Sequence, residues 1–324
     1  MTRVIGVGMV KNEADIIEAS VRHNLGYLDR IILFDHDSSD ATPQILRAMA
    51  AEGLPISLLS PRTDRREFAF WQGEFTTGLA RLAFEQHAAK HVVPIDADEF
   101  IDVASREALA SVLDGCSDEI ASIEWQTYVP GVDDEPGMHP IDSLRWRVDA
   151  GASALRKIVI PARAATGDWF ISRGNHAFCR RNGNQSTIAP ALPLEGMRLA
   201  HLPLRSPEQL AAKVLVGWLS RKLAYGASAV STRNSWHFRA LFERIIAGDV
   251  ITMADVRSYS AAVYGFDRLP LPGDCDDIAL VEHRLADPVP LCYTPRTAVD
   301  PARLLAVWAS DLVDSLAASS ERAR

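Results

Sequence analysis

His91-Val92-Val93-Pro94-Ile95-Asp96-Ala97-Asp98-Glu99-Phe100 runs from an apolar stretch straight into three carboxylates, Asp96, Asp98 and Glu99. A buried parallel strand accounts for the apolar run, and open α/β sheets place their ligands at the carboxyl ends of such strands. Asp96 and Asp98, two residues apart, can aim at one point once the chain leaves the strand. Carboxylates that close repel each other unless a cation lies between them. A hard divalent ion, Mg2+ or Mn2+, held by few protein oxygens and completed by substrate phosphates, suits that position. The other reading is a turn whose acids cap the next helix.

Upstream, the pattern repeats. Residues 3–10 are apolar and β-branched enough for a buried strand, broken by Lys11-Asn12-Glu13. Ile16, Ile17, Val21 and Leu25 then follow at helical spacing up to Gly26. A second strand, Leu28 to Phe34, ends in Asp35-His36-Asp37-Ser38-Ser39-Asp40, and Thr42-Pro43 opens a helix that Gly53 closes. Pro55 to Leu59 reads as a third strand, and Trp71 to about Lys90 as a long helix. Alternating strands and helices predict a doubly wound parallel sheet with right-handed crossovers. Asn12, Glu13, Asp35, Asp37, Asp96 and Asp98 all fall just after strands, so this topology gathers them along one sheet edge.

Downstream the pattern changes. A helix around 106–113 precedes strands over 119–129, 154–160 and 198–202, with the Gly/Pro/Asp-rich loop 130–137 and an irregular segment around His176 between them. Beyond Arg205 helices are expected over 207–225, 235–247 and 301–316, while 264–298 is Pro-rich and unassigned. The expected organisation is an α/β domain over 1–204, a mixed, mostly parallel sheet flanked by helices, and a helical C-terminal extension over 205–324. That extension either frames an acceptor site or mediates self-association into a homo-oligomer.

Composition narrows the partners. The 324 residues are 48% hydrophobic and 23% charged, an ordinary globular balance. A formal net charge of −8 without a Lys/Arg run argues against a nucleic-acid partner. The N-terminus lacks a charged leader, no apolar stretch is long enough to span a bilayer, and a cytoplasmic location is expected. Cys116, Cys179, Cys275 and Cys292 form no C-x-x-C pair, which argues against a zinc site.

Met9-Val10-Lys11-Asn12-Glu13, the segment Ile31 to Thr42, and Ile95-Asp96-Ala97-Asp98-Glu99-Phe100 together resemble, in this order, the motifs of family 2-type glycosyltransferases with the GT-A (Rossmann-like) fold. Trp125, Lys157 ahead of Ile-Val-Ile-Pro, and His201-Leu-Pro-Leu-Arg205-Ser206 resemble the bacterial "glycosyl transferase family 2, type 4" group. The resemblance covers roughly residues 3–215 and implies transfer of a sugar from a nucleotide-diphosphate sugar, UDP-sugar favoured, to a glycan, lipid-linked or small-molecule acceptor. It implies Mn2+ or Mg2+ at Asp98 as Lewis acid for the departing diphosphate, Asp96 nearer the ribose, and His201 as a third ligand. Asp35 matches the acid that contacts uracil or ribose, and His176 a histidine near the acceptor. Position 36 departs from the pattern, with His where many relatives carry an acid.

Other residues keep two readings. Asn12 and Glu13 border the nucleotide pocket or cap the first helix, and Asp40 is an N-cap. Lys157 pairs with diphosphate as a point charge or is a solvated surface lysine. A general base for an inverting transfer is sought among Glu124, Asp133 and Asp134. Three rival functions remain: a haloacid-dehalogenase-type phosphatase using Asp35 and Asp37, a nucleotidyltransferase, and a non-catalytic nucleotide-sugar-binding protein. The phosphatase motif normally sits on a chain's first strand, and Lys11-Asn12-Glu13 is not the Gly-rich basic loop a nucleotidyltransferase requires.

Overall fold

The computed structural model describes residues 3–60, 72–116, 118–131, 134, 138–149, 156–225, 236–265, 279–295 and 299–322. Strand β1 (Val4–Val10) is buried at every position and lies between β2 (Arg30–Asp35) and β4 (His91–Pro94), parallel to both. Strand β3 (Ile56–Leu59) adds a further parallel neighbour outside β2. Side chains of β1 alternate between two layers. Val4 and Val10 pack with helices α1 (Ile17–Leu25) and α2 (Thr42–Ala51), whereas Ile5, Val7 and Met9 pack with α3 (Gln72–His87). A strand covered on both faces has to be apolar throughout, and this one is. The fold is therefore the expected α/β class, with helices on both faces of a mixed sheet.

Gly8 lets β1 and β4 approach at their carboxyl ends, since a Cβ there would collide with the carbonyl of Ile95. Beyond β4 the sheet turns antiparallel through β8 (Arg156–Pro161), β6 (Ala121–Val129), β7 (Trp146–Val148) and β13 (Leu280–Glu282). The stretch read as the end of the fourth strand starts a separate strand, β5 (Glu99–Asp102), followed by α4 (Arg106–Asp114). Strand β12 (Leu192–His201) begins earlier than expected and lies between β5, antiparallel, and β6, parallel. A small separate sheet holds β9 (Trp169–Ile171), β10 (Phe178–Asn182) and β11 (Gln185–Ile188). These short strands, like β7 and β13, give no periodic signal in the sequence.

Helices α5 (Pro207–Tyr225), α6 (Trp236–Ile246) and α7 (Met253–Tyr259) follow, and Leu210, Val214, Trp218, Phe238, Leu241, Val256 and Tyr259 form a core of their own. The last described helix is α8 (Pro301–Arg322). No helix among the described residues is long and apolar enough to cross a membrane. Of the expected loop 130–137, only Pro130, Gly131 and Asp134 are described; Asp133 lies outside, as do Trp71 and residues 266–278 and 296–298 of the Pro-rich stretch.

The segment after β13 returns to the first helix. Leu285, Ala286, Val289 and Leu291 pack against the main core. Glu18 of α1, its side chain fully buried, accepts the N–H groups of Cys292, Tyr293 and Thr294, each at 2.8 Å, and the Thr294 hydroxyl at 2.9 Å. Arg22 Nε donates to the same carboxylate at 3.0 Å. Burial alone would raise the Glu18 pKa, but these hydrogen bonds outweigh it and hold it below the ordinary 4.5. Glu18→Gln is expected to cost on the order of 2–3 kcal/mol, because an amide cannot accept from all these donors. A carboxyl depressed in the fold stabilises above its unfolded value, and that contribution drains as pH falls below about 4.5. Urea melts at pH 7 and pH 3 check this: the wild-type advantage should shrink at pH 3, and an equal gap at both would refute the clasp.

Candidate active site

The chain passes from β1 to β2 and β3 on one side and then returns to β4 on the other, so β1/β4 is a topological switch point. Ligands of open α/β sheets lie outside the strands' carboxyl ends at such points. The loops after β1, β2 and β4 carry the acids singled out in the sequence.

Two of those loops are laced together. Asn12 Oδ1 accepts from Ser39 N at 2.8 Å, and Asn12 N donates to Ser38 Oγ at 2.9 Å. Asp40 receives Ala14 N at 3.1 Å and Thr42 N at 2.9 Å, but it is not the N-cap expected of it: that position of α2 falls to Ala41, with no side-chain cap, and Asp40 instead ties the loop after β1 to the start of α2. Asn12, Asp37 and Asn175 have φ of 57°, 53° and 61°, the left-handed region that Asn and Asp tolerate best. Such conformations gather at functional sites. Asp35, 6% exposed at the end of β2, accepts Ser38 N at 3.4 Å, and burial raises its pKa. Neither Asn12 nor Glu13 caps α1 with its side chain.

Asp96 and Asp98 enter different networks. Asp96 Oδ2 takes Lys157 Nζ at 2.6 Å, while Oδ1 takes the amides of Gln72 at 2.8 Å and Asn175 at 3.1 Å. Lys157 also meets Glu99 Oε1 at 2.8 Å. The Lys157 and Glu99 side chains are 1% and 0% exposed, so this ion pair lies inside the protein. Burial would depress the Lys157 ammonium, but Asp96 and Glu99 outweigh it and hold it above the usual lysine range. Burial pushes Glu99 up to about 8, with Lys157 pulling the other way.

Asp98 meets the end of β12. The β5–β12 ladder places His201 opposite Glu99, and Leu202 N donates to the Asp98 carbonyl at 2.9 Å. His201 Nε2 thereby comes within 3.5 Å of Asp98 Oδ2. Lys213 Nζ, from α5, donates to the same oxygen at 3.3 Å and to the Pro203 carbonyl at 3.0 Å. Burial would raise the Asp98 pKa, yet Lys213 and His201 hold it well below the usual carboxylate range. Burial drives the His201 imidazole down to about 4, which keeps it neutral near pH 7. One turn away, Arg205 grips Asp15 through Nε at 2.7 Å and Nη2 at 3.0 Å, and Glu13 through Nη2 at 2.7 Å. Burial pushes Glu13 up to about 7, against the pull of Arg205.

Aromatic rings back the Asp98 side. Trp125 stacks on His201 at 3.9 Å between ring centroids, Tyr264 stands edge-on to His201 at 5.4 Å, and His176 is edge-on to Trp125 at 5.7 Å. Trp125 Nε1, His201 Nδ1 and Asn175 Oδ1 are buried without a hydrogen-bond partner among the described residues. Buried polar atoms without a partner are rare in a packed core and call for an explanation, of which a ligand is one.

The structure corrects several sequence expectations. Asp98 and His201 come together, but Asp96 turns into the Lys157 network, and no group of three metal-ligating side chains converges among the described residues. Lys157 is neither a surface lysine nor open toward a phosphate; both its carboxylate partners are protein. Glu124 lies on the face of β6 opposite Trp125, because successive strand residues alternate, and it pairs there with Arg198 at 3.1 Å. Asp134 spends its carboxylate on Gly131 N at 2.8 Å, within its own loop. Gln72, Asn175, Arg205 and Lys213 were not singled out for roles. Two of them leave a trace in the sequence: Arg205 stands in the quoted motif after His201, and Lys213 is a charge next to the apolar stripe Leu210, Val214 and Trp218.

One carboxylate and one neutral imidazole are two protein donors that suit Mn2+, and sites completed by substrate phosphates need few more. Asp98 and His201 fit such a role.

The chain matches no protein-family profile, and no curated protein is similar to it in sequence. Similar solved structures include S. aureus TarS 1–349 in complex with UDP-GlcNAc, 12% identical, covering 82% of this chain and 87% of that one, with a TM-score of 0.37. The mannosyltransferase PcManGT from Pyrobaculum calidifontis, in complex with GDP-Man and Mn2+, is 15% identical over 82% of this chain and 79% of that one, with a TM-score of 0.36. Glucosyl-3-phosphoglycerate synthase from Mycobacterium tuberculosis, in complex with Mn2+, UDP and glucosyl-3-phosphoglycerate, is 18% identical over 38% of this chain and 44% of that one, with a TM-score of 0.26. All three likenesses are remote.

Proposed function

We propose that this chain is a glycosyltransferase that moves a sugar from a nucleotide-diphosphate sugar, UDP-sugar favoured, to an acceptor hydroxyl. The observation that carries the proposal is the meeting of Asp98 with His201 past the carboxyl end of β4, at the β1/β4 switch point, with the buried Asp35 ending β2 on the other side of β1. In this reading Asp35 receives the ribose or base, and the loops laced by Asn12 fix its position. Asp98 and His201 would hold a divalent ion, Mn2+ or Mg2+, which supplies Lewis-acid stabilisation of the charge on the departing diphosphate. Asp96 is a positioning residue, locked by Lys157, Gln72 and Asn175 so that the Asp96–Glu99 turn presents Asp98. Neither Glu124 nor Asp134 is proposed as base. Residues 1–204 form the catalytic domain of this proposal and 205–324 an extension that lends Lys213 to the site; a cytoplasmic setting belongs to the same reading.

A thermal-shift panel of UDP, GDP, CDP and TDP, each with and without Mn2+, tests the reading. A ligand bound only by the folded state raises the midpoint by mass action, about 2.7 kcal/mol at a hundredfold excess over Kd. One nucleotide should stabilise, and more so with Mn2+. No response to any nucleotide, together with turnover of simple phosphate esters, would move the assignment to a phosphatase acting through Asp35 and Asp37.

A further inference from the structure

We propose that Lys213 is the resident cation of the Asp98 site, and that a divalent ion must displace its ammonium before Asp98 can hold the metal. The proposal rests on the transferase reading for its biological meaning. The ammonium lies among three electron-rich groups: Asp98 Oδ2 at 3.3 Å, the Pro203 carbonyl at 3.0 Å, and the Tyr264 ring, whose centroid is 5.8 Å away. Two hard oxygens and a ring face are what a cation seeks. The oxygen of Asp98 that faces Lys213 is also the one that faces His201.

A divalent ion on that oxygen would lie within a few ångströms of the ammonium, and the two cations repel. Asp98 brings one negative charge, and Lys213 already balances it; a metal arriving beside the ammonium would leave the spot strongly positive at short range. The lysine can leave without disturbing the fold. Its side chain is 27% exposed, and its stem is an unbranched chain that can swing outward while α5 stays in place. With Asp98 and His201 as the protein donors among the described residues, a bare ion gains little on entering. A diphosphate changes this in two ways: its oxygens complete the metal's coordination, and they give the displaced ammonium a new anion. Metal and nucleotide therefore enter together, each raising the other's affinity by the same factor.

Mn2+ binding without nucleotide reads the claim directly, through the electron paramagnetic resonance signal of the free hexaaqua ion. Lys213→Met removes the charge and keeps the length; it should bind Mn2+ at least about tenfold more tightly than wild type. Lys213→Arg keeps the charge and should stay near wild-type affinity, and circular dichroism confirms that both variants are folded. Unchanged or weaker Mn2+ binding in Lys213→Met overturns the inference, as does equal tightening in Lys213→Arg. UDP added to wild type should tighten Mn2+. If no nucleotide binds any of the three proteins, the transferase reading falls, while the metal-alone arm still decides the place of Lys213.

Discussion

Asp98→Asn is expected to lower kcat/KM for the proposed sugar transfer by about a thousandfold, some 4 kcal/mol of transition-state stabilisation. The amide has the size of the carboxylate and can still accept a hydrogen bond from Lys213, so the fold should survive. What it lacks is the negative charge that, in the proposed mechanism, would hold a cation against the departing diphosphate. The acceptor does not have to be known for the measurement, since release of nucleoside diphosphate from the donor with water as acceptor reports the same bond cleavage. Circular dichroism and the nucleotide midpoint shift accompany it, so that loss of turnover is separated from loss of structure. Turnover within tenfold of wild type would remove Asp98 from the chemistry.

Lys157→Met should be the most damaging single change to stability, on the order of 3–5 kcal/mol. Two carboxylates share this ammonium, and one of them, Glu99, is 0% exposed. Removing one member of a buried ion pair costs far more than the pair itself contributes, because the remaining charge cannot be solvated. Glu99 escapes part of that cost by taking a proton. Burial already pushes it up to about 8, and losing Lys157 acts in the same direction. A carboxyl raised in the fold stabilises fully below its unfolded value near 4.5 and loses that contribution as pH rises through the folded value. The deficit of Lys157→Met should therefore widen from pH 5 to pH 9. Urea denaturation across that range checks it; a loss under 1 kcal/mol, or one that narrows with pH, would contradict the buried triad.

Local pattern made half of this molecule readable. The β1–β4 sheet is written in apolar runs of strand length, and the acids following those runs had to collect at one edge once the strands were parallel. The Asp98–His201 meeting was anticipated only through the resemblance, since it depends on β12 sliding between β5 and β6 about a hundred residues later. Nothing local distinguishes Asp96 from Asp98. Their separation into two networks is decided by Gln72, Asn175 and Lys157, which arrive from three different elements. Glu124 was misplaced for a simpler reason: one step along a strand reverses the face, so an acid beside Trp125 must point away from it. Lys157 was ambiguous because its neighbours in sequence are apolar whether it is buried with partners or protrudes from an edge.

The clasp on Glu18 also has a consequence in time. Its partner Thr294 lies 276 residues further along the chain. At a synthesis rate of about 5–20 residues per second, roughly 14–55 s separate the appearance of the acid from that of the backbone that satisfies it. Until then α1 carries a carboxylate meant for burial with only Arg22 beside it, and the core face later covered by Leu285, Val289 and Leu291 stays open to water. The first helix of this protein is thus among the last elements to be finished on the ribosome, although it is among the first to be made.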